Sequence, residues 1–418
     1  MNKRTFIKAL ASLGFGTLAA PLKSQAEADY FSGIDFDSDD IWEQIRKGYK
    51  LKPDYINLEN GYYCFLPQET LEKYIEHIRE VNYQGSYYMR TVQWDNKAKS
   101  AAKLAELVGA DPEEIAITRN TTESLDLIIA GYPWNRGDEA IMSNQDYGSM
   151  LTMFELAHRR HRVHLKKIDI PMHPQSDEEI VAVYENAITS KTRLIMVPHI
   201  VNITGHILPV RKICDMAHQY GVEVMVDGAH AVGHFTFDMK ELDCDYYGSS
   251  LHKWLSVPLG AGLLYVKKGK ADQIRPLLAP YQLDRPGIYN LNHTGTHPVA
   301  TDLAVMNAIE FHEKIGAKRK EDRLRFIQRY WSDQVREIEG INVNTPIEPF
   351  RSCAIANVGL EKVKPGEMAK RLMDEFKIFT VAIDGNGVHG CRITPNIYTT
   401  TDELDQFVNA LKKMSEKA

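Results

Sequence analysis

Cysteine is scarce and follows no pattern. Cys64, Cys214, Cys244, Cys353 and Cys391 show no C-x-x-C spacing, which argues against a zinc site and against a disulfide framework. An odd count of this kind fits a chain that folds in the cytoplasm. Neither sign of charge is in excess: 50 basic residues against 56 acidic ones leave −6, so no nucleic-acid partner is expected. The basic stretch Arg159–Arg162, continued by His164, Lys166 and Lys167, reads as a solvated helix end. No internal repeat and no low-complexity segment is present. Beyond the N-terminus no run is long and apolar enough to cross a bilayer, so no membrane anchor is expected.

What is present is ordinary globular composition: 418 residues, 44% hydrophobic and 25% charged, with room for about two domains. The first 26 residues stand apart. Lys3-Arg4-Thr5-Phe6-Ile7-Lys8 precedes an apolar run from Ala9 to Ala20, and Ser24-Gln25-Ala26 offers small residues for cleavage. The run is shorter than the ~20 residues of a spanning helix and reads as an export signal. Its basic pair resembles a twin-arginine signal with Lys in the first place. That route carries folded, cofactor-loaded proteins and implies a periplasmic destination. An ordinary secretory signal, or a cytoplasmic protein, is the alternative. Residues 27–55 read as an N-terminal arm.

From Tyr55 onward strands and helices alternate. Short apolar runs such as 140–143, 194–198, 222–226 and 262–266 are separated by amphipathic stretches of 10–15 residues, the pattern of a mostly parallel sheet covered on both faces. A long helix from Val299 and another from Lys318 lead into strands and helices of a different order. The reading is therefore a large domain over 56–315 and a smaller α+β domain over 316–418.

Three segments carry candidate chemistry. Arg119-Asn120-Thr121-Thr122-Glu123-Ser124 follows a strand and opens a helix, where backbone N–H groups and two hydroxyls suit a phosphate. Asp227 ends the strand Val222–Val226. Lys253 follows Ser250 and His252 between two apolar strands, flanked by Trp254. Taken singly, these read as a capped helix, a turn aspartate and a surface lysine. Taken together, they lay out a pyridoxal-phosphate site: a lysine amine to form a Schiff base and a carboxylate to keep the pyridine nitrogen protonated.

With Asp227-Gly-Ala-His and Ser250-Leu-His-Lys in view, the chain from about Tyr55 to its end resembles the class V aminotransferase-type enzymes, which include isopenicillin N epimerases, cysteine desulfurases and selenocysteine lyases. The resemblance implies fold type I, with a seven-stranded sheet in the large domain, and pyridoxal 5′-phosphate as cofactor. It makes Lys253 the Schiff-base lysine, Asp227 the partner of the ring nitrogen and Tyr147 the ring that stacks on the cofactor. It places Asn202 and His230 near the phenolic oxygen. Thr121, Thr122, Ser250 and His252 then hold the phosphate, and Thr296 reaches the phosphate of a neighbouring subunit in a homodimer with shared sites. Arg392 matches the arginine that binds a substrate carboxylate. Asn60 and Arg90 are further candidates for the substrate side. No metal is expected.

One departure narrows the activity. Desulfurases carry a nucleophilic cysteine on a loop before that arginine, whereas Ile383–Gly390 reads IDGNGVHG, and Cys391 reads as a packed strand residue. The expected function is chemistry at the α-carbon of an amino acid, ending in epimerisation, transamination or C–S lysis. Desulfurase or selenocysteine lyase activity, or a non-catalytic exported binding protein on the same fold, is the alternative.

Overall fold

The computed structural model describes residues 34–35, 38, 40–280 and 286–416; the expected export signal lies outside them. Thirteen strands are defined among these residues. A seven-stranded sheet is made by β2 (Ile115–Thr118), β3 (Glu139–Ser143), β4 (His164–Ile168), β5 (Thr192–Pro198), β6 (Glu223–Asp227), β7 (Tyr246–Ser250) and β8 (Gly262–Val266). Its order is β2-β8-β7-β6-β5-β3-β4, and only β8 runs antiparallel to its neighbours. Buried on both faces, β5, β6 and β8 are largely apolar runs, as a parallel sheet covered by helices requires. Among the described residues no helix is long and apolar enough to cross a membrane.

The helices Val299–Ile315 and Ala317–Ser332 meet at Gly316, whose φ of 89° only glycine adopts freely. Beyond it, β9 (Ile341–Val343), β10 (Ala356–Leu360), β12 (Val381–Gly385) and β13 (Val388–Ile393) form an antiparallel sheet in the order β12-β13-β10-β9. The large mixed sheet and the smaller α+β unit are those expected. One segment changes sides. β1 (Ile56–Asn57), read as the start of the large domain, pairs instead with β11 (Ile378–Phe379) of the C-terminal unit, and Glu59 bridges to Thr394. Arg46 reinforces the join through an ion pair to Glu403 at 2.7 Å. The chain start thereby reaches over the large sheet to the residues that complete the site.

Candidate active site

The parallel strands end on one side of the large sheet, where ligands of open α/β sheets bind. There a cavity of about 400 Å3 opens. Thr121, Thr122, Tyr147, Asn202, Asp227, His230, Ser250, His252, Lys253 and Arg392 all line it. These ten come from five separate loops of the large domain and from β13.

Each is placed by a local cause. The helix Thr121–Gly131 starts directly after β2, with Asn120 accepting from the Glu123 amide at 2.9 Å as its cap. The Ser250 hydroxyl, at the end of β7, accepts from the Thr121 amide at 3.0 Å and lies 2.7 Å from the Thr121 hydroxyl. The helix N-terminus, two hydroxyls and Ser250 thus converge as one anion cradle. Asp227 turns sharply into Gly228, where a Cβ would sit 2.1 Å from the Tyr247 ring, so only glycine fits. Asp227 Oδ1 accepts from the Ala229 amide at 3.0 Å. Burial raises the Asp227 carboxyl, opposed by that bond and by Lys253. A cationic ring nitrogen alongside would restore the ionised form.

Lys253 Nζ lies 3.0 Å from His230 Nε2. Burial lowers the amine to about 8; Asp227 opposes the shift and Arg392 adds to it. Burial likewise takes His252 down to about 4 and His230 well below the ordinary imidazole range. Both rings are therefore neutral near pH 7.

Arg392 is gripped from the side. Its Nη2 is 2.6 Å and its Nε 3.3 Å from the two oxygens of Glu59, and both side chains are buried. Its Nη1 donates to the Asn202 carbonyl at 3.3 Å. A guanidinium has five N–H groups in a fixed fork, so one on each terminal nitrogen stays free. Two free N–H groups on neighbouring nitrogens suit a carboxylate. Gly61 makes room: a Cβ there would fall 2.7 Å from the Arg392 guanidinium carbon.

Three candidates do not line the cavity. Asn60 is buried, but its amide donates to the Thr394 carbonyl at 2.6 Å and accepts from Asn57 and Tyr398. These bonds tie the segment after β1 to the end of β13, away from the cavity lining. Arg90 is exposed on the helix Ser86–Thr91, and Thr296 is exposed on the loop before Val299.

The segment Ile383–Gly390, read as a loop, is a tight hairpin. Gly385 pairs with Val388, and the two residues between, Asn386 and Gly387, both have positive φ, as a two-residue turn between twisted strands requires. Cys391 is buried on β13, its thiol directed at the Pro365 carbonyl and raised by burial to about 11. No cysteine lines the cavity.

A model of the aminotransferase class-V family matches residues 65–407. The chain belongs to that family. Isopenicillin N epimerase of Streptomyces clavuligerus is 28% identical over 398 residues, covering 90% of this chain and 98% of the relative. A probable cysteine desulfurase of Halalkalibacterium halodurans is 25% identical over 83% of this chain and 89% of its own. Among solved structures, the apo cysteine desulfurase of Thermococcus onnurineus superposes with a TM-score of 0.80 at 22% identity, covering 90% of this chain and 98% of that one. That last likeness is one of fold.

Class V enzymes use pyridoxal phosphate, and this chain is a pyridoxal-phosphate-dependent enzyme. Its residues fit the cofactor on their own chemistry. A partly desolvated amine, a buried carboxylate and an anion cradle share one cavity. His252 Nδ1 is buried there without a hydrogen-bond partner among the described residues, as a site built for a further polar group leaves it. Sequence reasoning missed Glu59 as the partner of Arg392. The signal is a carboxylate directly before the Asn60-Gly61 turn.

Proposed function

We propose that the enzyme removes the α-proton of an amino acid and returns a proton to the same carbon, as an amino-acid epimerase. The observation that carries the reading is the meeting of Lys253, Asp227 and Arg392 in a cavity that no thiol enters. Pyridoxal phosphate, when bound, supplies the electron-withdrawing ring that makes such a proton removable. The rest belongs to this chain. Thr121, Thr122 and Ser250 hold the phosphate, with His252 beside them, and Asp227 holds the proton on the ring nitrogen. The free N–H groups of Arg392 take the substrate carboxylate. Lys253, whose amine is poised at about 8, takes the α-proton as a general base near its working pH. Tyr147, half-exposed at the cavity wall, supplies the phenol for return from the other side. Similarity to the epimerase, and the tight turn where desulfurases carry their nucleophile, both favour this outcome.

Two further parts belong to the same proposal. Thr296, exposed in a single chain, reaches the neighbour's phosphate in a homodimer. The twin-arginine-like leader exports the folded, loaded enzyme to the periplasm.

The test is incubation with a panel of L-amino acids in deuterated water. Deuterium at the α-carbon with inverted configuration supports the reading. Pyruvate with released thiol would replace it with C–S lysis, and accumulation of the aminated cofactor with transamination. Protein that binds no pyridoxal phosphate would overturn the enzyme reading. Light scattering of the holoenzyme and fractionation of cells test the dimer and the export.

A further inference from the structure

His230 is the side chain that meets the Lys253 amine, and its two nitrogens face different partners. Nε2 lies 3.0 Å from Lys253 Nζ. Nδ1 lies 3.3 Å from the indole nitrogen of Trp254. An indole N–H only donates, so Nδ1 accepts and carries no proton. Burial, with Lys253, Arg392, His234 and His252 nearby, keeps the ring neutral. A neutral imidazole holds one proton, which leaves it on Nε2, facing the amine.

Trp254 does not line the cavity and is itself held in two ways. Its ring stacks on His234 with centroids 3.8 Å apart and planes at 11°. Its carbonyl accepts from buried Lys320 at 2.5 Å. His234 is fixed in turn, accepting from the Ala354 amide at 2.8 Å through Nε2. Its Nδ1 then donates to the His230 carbonyl at 2.7 Å. The indole has no room to turn its N–H elsewhere.

We propose that Trp254 is a positioning residue: its indole N–H fixes His230 as the Nε2–H tautomer, so that the cavity is offered a donor at that atom and Lys253 is held as the amine that accepts from it. The opposite tautomer would set two N–H groups against each other at Nδ1. It would also offer the Nε2 lone pair to an ammonium at Lys253. Trp254 thereby favours the neutral, nucleophilic form of the lysine without touching it, in the same direction as the burial that lowers the amine to about 8. The proposal rests on Lys253 being the catalytic amine, but its core is the position of one proton, readable without cofactor or substrate.

The first test is long-range 15N–1H correlation on the cofactor-free protein carrying 15N-histidine, with His230 assigned by its loss in His230→Asn. A single tautomer protonated at Nε2 is expected. A proton on Nδ1, on both nitrogens, or exchanging between them overturns the proposal, and this measurement needs no variant of Trp254 to fold. The second test is Trp254→Phe, which keeps an aromatic ring on His234 and removes the N–H. The expected results are loss of the single tautomer and about tenfold faster release of pyridoxal phosphate, the scale of one hydrogen bond. In a His230→Ala background the same change should add nothing. An unchanged tautomer, or an equal effect with and without His230, would mean that the indole acts by packing alone. If wild-type protein binds no cofactor, the enzyme reading falls while the tautomer result stands.

Discussion

Glu59 holds Arg392 along one edge, at 2.6 Å and 3.3 Å, and leaves the end-on edge free. The pair closes the join between β1 and the C-terminal sheet, so under the proposed function one contact would serve both architecture and substrate binding. A buried ion pair of this kind contributes less by its own attraction than its disruption costs.

Replacing Glu59 should therefore act on binding. Glu59→Gln keeps the shape and one acceptor but loses the charge-assisted grip, and the guanidinium gains freedom to turn from the cavity. KM for the amino acid that exchanges its α-proton should rise about tenfold, ~1.4 kcal/mol, with kcat changed much less. Steady-state kinetics on wild type and Glu59→Gln decides. A fall in KM would show instead that Glu59 competes with the substrate for Arg392.

How the sequence announces this site depends on distance along the chain. Asp227 and Lys253 follow consecutive strands, and Thr121 opens a helix directly after one, so local pattern is enough to find them. Glu59 and Arg392 are separated by 333 positions and meet only because β1 pairs with β11, which no periodicity reveals. Asn60 sits beside Glu59 in sequence, yet its amide bonds to Thr394, Asn57 and Tyr398 and does not line the cavity. The Asn386-Gly387 turn was legible as a hairpin signal.

Cysteine substitution should leave the chemistry intact. Cys64 lies near Lys253 in the fold, but burial raises its thiol to about 12 against the opposing pull of Lys320, Lys253 and the Asn396 amide, and its Sγ donates to the Asn60 carbonyl at 3.3 Å. The thiolate that a persulfide pathway needs is absent there. Cys391→Ala and Cys64→Ala should each retain the rate of α-proton exchange and lower the melting temperature by a few degrees, as small cavities do. Loss of turnover in the folded Cys391→Ala protein would reopen the desulfurase alternative.

The Lys253 amine gives a pH profile. Capture of the cofactor needs the neutral amine, and burial lowers its pKa to about 8, with Asp227, Cys64 and Glu59 opposing and Arg392 reinforcing the shift. The neutral fraction thus climbs as pH rises and levels off above about 8, whereas an unperturbed lysine would still be climbing at ~10. The initial rate of binding to cofactor-free protein, followed by absorbance from pH 6 to 10, should show that early plateau. Asp227→Asn removes an opposing charge and should move the midpoint lower.

Lys320 provides a separate thermodynamic signature away from the cavity. It is buried, donates to the Trp254 carbonyl, and its ammonium is lowered by burial to about 8, with Cys64 and Cys353 opposing. The unfolded chain holds its proton up to ~10.4. Between the two values the unfolded state binds more protons, so this residue makes stability rise with pH across that window, and the penalty is greatest below about 8. Other buried groups titrate too, so the comparison is with Lys320→Met, which fills the volume and does not titrate. Denaturant unfolding at pH 7.5 and at pH 9.5 should show wild type gaining on the variant by ~1–2 kcal/mol as pH rises. A constant difference would mean that Lys320 is charged in the fold at both pH values, and that its charge is solvated or paired.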